Sequence, residues 1–151
     1  MTLLQLELWP RWLRDFLPLV VWMAVIFLLS AQPTLIKIED EAGEKLVYKT
    51  AHMLAYAGLA WLWWRALAPQ RQVSWRDLLL AFGLATLYGV TDEIHQRFVP
   101  GRHGRLADVF FDAAGAWAMI LLIRQVKWLR TWPDSLLTRF STAEAKSLTG
   151  R

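Results

Sequence analysis

Between residues 16 and 31 the chain carries no charged side chain. Extended back through Trp12, this run reaches about twenty residues, the length at which a helix rising 1.5 Å per residue crosses ~30 Å of hydrocarbon. Three further apolar blocks follow. Residues 46–68 are rich in Ala, Leu and Trp, with Lys49 and His52 near one end and Arg65 near the other. Residues 78–91 are uncharged and run on into Asp92-Glu93-Ile94-His95-Gln96 before Pro100-Gly101 stops them. Residues 107–123 are apolar except for Asp108 and Asp112. The pattern predicts an all-α, polytopic membrane protein with four transmembrane helices. A soluble bundle is compatible with the mean hydropathy of +0.27, but the charges cluster between apolar blocks instead of recurring every 3.6 residues. A cleaved signal sequence is disfavoured, because no small-x-small site follows cleanly at Ser30-Ala31-Gln32.

Apolar residues at 56% against 20% charged exclude a disordered or collagen-like chain. The absence of cysteine excludes disulfides, thiolate metal sites and thiol nucleophiles. A net charge of +4 raises the question of nucleic acid, which the distribution of the cations answers in the negative, since they lie between apolar segments. Eleven of the 17 Lys and Arg residues fall in the N-terminal stretch, the second connection and the C-terminal tail. The other side holds Lys37, Lys45, Lys49, Arg97, Arg102 and Arg105, offset by seven acids. Positive charges resist translocation, so both termini are expected in the cytoplasm and the first and third connections outside. The expected organisation is a four-helix membrane domain over residues 1–123 and a basic cytoplasmic tail over residues 124–151, with Trp128 and Trp132 as interface anchors.

Polar stripes interrupt three of the four blocks. Lys49-x-x-His52-x-x-x-Tyr56 puts three side chains within about a 60° arc of one helix face. Tyr88, Asp92, His95 and Gln96 share a face of the third helix, with Glu93 turned about 100° from Asp92. Asp108 and Asp112 stack at i and i+4 of the fourth. Charges at hydrocarbon depth cost about 2.5–3.5 kcal/mol each on insertion scales, while interhelical hydrogen bonds return only ~0.6 kcal/mol. A polar pocket facing outward is therefore expected, in preference to a network that merely joins helices.

The string Tyr88-Gly89-Val90-Thr91-Asp92-Glu93-Ile94-His95-Gln96-Arg97-Phe98-Val99-Pro100-Gly101-Arg102, followed by Asp108-Val109 and Gly115, resembles the signature of the VanZ-like family of small membrane proteins. Lys49-x-x-His52-x-x-x-Tyr56 is similar to that family's upstream motif, and together the motifs cover residues 49–115. Asp112 departs from the pattern, standing where the family commonly has Asn. The resemblance implies an integral membrane protein of the bacterial envelope, expected in the inner membrane, whose namesake is associated with low-level resistance to the glycopeptide teicoplanin, and it supplies no settled biochemical activity.

Two classes of function fit these residues. An enzyme acting on a lipid-linked phosphate or cell-wall precursor would use Lys49 and Arg102 to bind phosphate, with Tyr56 and Gln96 also facing substrate. His95 or His52 would serve as nucleophile or acid and base, and Asp92 or Glu93 would orient a histidine or activate water. Asp108, itself a further catalytic candidate, and Asp112 would hold a divalent cation. A non-catalytic binder would sequester or shield an envelope lipid or lipoglycopeptide with the same cations. The expected partners are membrane lipids, including a polyprenyl phosphate or lipid-linked precursor. The residues specify neither a cofactor nor an oligomeric state.

Overall fold

The computed structural model describes residues 10–32, 41–68, 72–100, 102, 104, 105 and 107–131. Within them every regular element is an α-helix: α1 Arg11–Ser30, α2 Glu41–Leu67, α3 Trp75–Gln96, α4 Val109–Gln125 and the short α5 Lys127–Thr131. The all-α expectation holds. Trp12–Ser30 is the one helix among the described residues that is long and apolar enough to cross a membrane by length and composition. Asp92 and Glu93 dilute the end of α3, α2 mixes Trp, Tyr and charged residues into its length, and α4 has 17 residues. The N-terminal stretch 1–9, most of the first connection, Arg71, Gly101, His103 and the tail beyond Thr131 lie outside the described residues.

Local chemistry sets the helix ends. Ser74 caps α3 by accepting from the Asp77 backbone N–H at 3.2 Å, and Asp77 places a negative charge in the first turn. At the other end α3 stops at Gln96, ahead of Pro100. The chain leaves through tightened turns in which the Arg97, Phe98 and Val99 N–H groups reach the carbonyls three residues back. The expected tail begins as helix, since α4 runs to Gln125 and α5 follows, with Trp61 donating to the Leu129 carbonyl at 2.8 Å.

α2 is the central element and packs on α1, α3 and α4. It runs antiparallel to α1, as Trp22 donates to the Ala55 carbonyl near the middle and Arg65 meets Asp15 at the end. Gly115 determines how closely α4 approaches α2, because a Cβ there would fall on the backbone of Met53. The fully buried Tyr56, Leu59, Trp64, Leu78 and Ile120 fill the core. Trp64 thus belongs to the interior. Arg65, at the end of the second apolar block, is also buried, 3.1 Å from Asp15 and over the Trp61 ring. Long apolar side chains instead cover the outside, from Val20, Leu28 and Leu54 to Leu87 and Leu122.

Gly115→Ala is expected to lower stability in detergent by about 2 kcal/mol or more, because the obstructing neighbour is backbone and cannot swing away. Gly83→Ala, which meets nothing within 4 Å, is expected to leave the melting temperature unchanged or raise it. Thermal unfolding of the two variants side by side measures the difference.

Candidate functional site

Three helices deliver ionisable groups to one end of the bundle. His52 of α2 and Asp112 of α4 meet directly, Nδ1 to Oδ1, at 3.2 Å. Glu93 of α3 completes the group, so that one donor atom from each of His52, Glu93 and Asp112 lies within 4.8 Å of the others. Asp112 is 0% exposed, Glu93 2% and the adjoining Asp92 3%. Burial this deep is costly for carboxylates unless they are paired or coordinated, which is why the hydrogen bonds around them carry weight.

Two glycines make the convergence feasible. Gly89 brings α3 against the site, since a Cβ there would lie 3.3 Å from both Asp112 Oδ2 and the Tyr56 ring. Gly104 lets the third connection fold onto the end of α3, where a Cβ would strike the Glu93 carbonyl. That fold brings the Arg105 backbone N–H to Glu93 Oε2 at 2.8 Å and holds the side chain in place. One helical turn on, Gln96 donates to Asp92 Oδ2 at 3.0 Å, so Gln96 orients Asp92.

Beside the group a cleft of about 180 Å³ opens between α1 and α2. Ile26, Leu29, Val47, Ala51 and Ala55 give it an aliphatic wall, and Ser30, Tyr48, His52, Tyr56, Asp92 and Arg102 supply the polar atoms. The Tyr56 ring stacks on His52 with centroids 6.2 Å apart. Arg102 lies 5.6 Å over the Tyr48 ring. The Tyr56 hydroxyl, Asp92 Oδ1 and Asp112 Oδ2 are buried without a hydrogen-bond partner among the described residues.

The structure thus gathers His52, Tyr56, Asp92, Glu93, Arg102 and Asp112, with Gln96 behind Asp92. Three expected site residues are set apart. His95 stacks on Phe27 of α1, centroids 4.3 Å apart, and does not join His52. Two residues along a helix are about 200° apart, so Glu93 turned toward α2 and α4 sends His95 toward α1. The face expected to carry Asp92, His95 and Gln96 together is split, and Glu93 takes the place proposed for His95. Lys49 is directed at Phe111, Nζ 4.1 Å from the ring centroid, and does not line the cleft. Asp108 precedes α4, makes no side-chain capping bond and is not among the three grouped donors, so the expected Asp108–Asp112 pair contributes only Asp112. Sequence reasoning missed Ser30 and Tyr48 of the cleft wall, which carry no motif, and the role of the Arg105 backbone, which side-chain identity cannot reveal.

No curated protein and no solved structure matches the chain. The sequence profile of the VanZ/LLP1 family matches residues 16–130. That stretch takes in α1 from its second turn, all of α2, α3 and α4, and every member of the cleft and the three-helix group, and the chain belongs to the VanZ/LLP1 family.

Proposed function

We propose that the chain is a multi-pass protein of the bacterial inner membrane, crossing it with α1, α2, α3 and α4, with both termini in the cytoplasm. The cleft then opens outward and takes the phosphate-bearing head of a lipid-linked cell-wall precursor or polyprenyl phosphate. The inverted distribution of polarity supports the membrane placement: exposed aliphatic side chains outside, carboxylates and Arg65 inside. In water such a surface would associate, whereas hydrocarbon solvates it and drives ionisable groups inward.

The observation that carries the ligand class is a cleft whose aliphatic wall ends in Arg102 and His52, with Asp112 buried behind His52. A guanidinium offers a planar fork for phosphate oxygens, and the aliphatic wall suits the first carbons of a lipid chain. His52, held by Asp112, supplies an acid and base at the head. A second reading, a binder that sequesters or shields an envelope lipid or lipoglycopeptide, is favoured by how aliphatic the cleft is and by Lys49 being turned onto Phe111. It would connect the cleft to the teicoplanin resistance that the resemblance implies.

Orientation is checked on the naturally cysteine-free chain with single variants at two exposed sites. Arg97→Cys is expected to react with an impermeant maleimide added to intact spheroplasts, and Arg76→Cys only after permeabilisation; the reverse pattern would invert the topology. Function is checked with protein in detergent and undecaprenyl phosphate, undecaprenyl pyrophosphate or lipid II, with and without divalent cations. Arg102→Ala is expected to weaken lipid binding by about tenfold or more. His52→Ala is expected to abolish turnover while binding persists, and His95→Ala to change neither. Binding without turnover under any cation selects the sequestering function, and no binding of any of these lipids refutes the ligand class.

A further inference from the structure

We infer that His52, Glu93 and Asp112 form a binding site for one divalent transition cation, Zn²⁺ or Mn²⁺, where α2, α3 and α4 meet. One donor atom from each residue lies within 4.8 Å of the other two. His52 Nδ1 and Asp112 Oδ1 are 3.2 Å apart, close to the edge of a tetrahedron with metal–ligand bonds of about 2.0 Å. Two ligands of one tetrahedral ion lie about 3.4 Å apart at bonds of ~2.1 Å, so binding draws the wider pairs, which lie within 4.8 Å, together by up to about 1.4 Å.

Two further observations point to a cation. Asp112 is fully buried, yet only its Oδ1 is paired; Oδ2 has no hydrogen-bond partner among the described residues. The neighbouring Asp92 Oδ1 and the Tyr56 hydroxyl, on side chains outside the donor set, are buried and unpartnered as well. A cation would give Asp112 Oδ2 the partner that no described residue supplies. Glu93 is held ready by the Arg105 N–H on Oε2, the kind of support that orients a ligating carboxylate.

The donor set selects the ion. Mg²⁺ and Ca²⁺ favour all-oxygen shells, whereas one imidazole with two carboxylates suits Zn²⁺ or Mn²⁺. The set differs from an Asp108–Asp112 pair in using Glu93 and His52 and leaving Asp108 out. Because His52 also lines the cleft, the ion stands at its inner wall; in the cation-loaded protein His52 is a ligand, and the acid and base role proposed for it belongs to the cation-free form. The site does not depend on what fills the cleft, so it is measured without lipid and separately from the proposed function.

The full chain in detergent, stripped with chelator, is titrated with Zn²⁺ and Mn²⁺ alone. One ion per chain is expected. Glu93→Gln and Asp112→Asn are expected to weaken binding by about 100-fold or more, and Asp108→Asn, which removes a nearby charge without removing a ligand, to weaken it far less, with helical circular dichroism confirming that each variant is folded. Pulsed electron paramagnetic resonance of the Mn²⁺-loaded wild type is expected to show coupling to an imidazole nitrogen, a readout that needs no variant. No saturable binding by the wild type, no nitrogen coupling, or loss of binding in Asp108→Asn with retention in Glu93→Gln would overturn the site.

Discussion

Everything at the polar end of the bundle follows from three carboxylates buried where α2, α3 and α4 converge. Asp92, Glu93 and Asp112 are withdrawn from solvent, and each such group destabilises the fold unless hydrogen bonds or charge offset the lost hydration. The backbone is arranged to supply those contacts. Gly89 and Gly115 let α3 and α4 approach α2, and Gly104 folds the third connection onto Glu93. The opposite end repeats the principle with simpler means, the buried Arg65–Asp15 pair beneath Trp61.

Much of the fold was legible in the distribution of charge. The four apolar blocks correspond to α1, α2, α3 and α4, since uncharged runs of that length have few alternatives to a buried or membrane-solvated helix. Helix ends were less so. α3 starts at Trp75, ahead of the apolar block itself, because Ser74 accepts from the Asp77 N–H. Pro100 marks only an upper limit for its end.

The candidate site was legible as an inventory of residues and less so as a geometry. Lys49, His52 and Tyr56 share a helix face, yet Lys49 is drawn to the ring of Phe111 on α4 while His52 reaches Asp112. His95 and Glu93 illustrate the limit most clearly. Spacing alone says that they point in nearly opposite directions, but only the packing of α1 on one side and of α2 and α4 on the other decides which of them enters the cluster. The pairing of Asp15 with Arg65 was hidden for the same reason, because the two lie fifty residues apart in sequence.

The convergence of α2 and α4 at His52 and Asp112, with His95 excluded, is tested most directly by paired cysteines in the cysteine-free chain. His52→Cys with Asp112→Cys, oxidised in native membranes and digested, should give the 52–112 cross-linked peptide in high yield, whereas His95→Cys with Asp112→Cys should give little. Efficient linkage of 95 to 112, or none between 52 and 112, would contradict the arrangement on which the cleft and the cation site both depend.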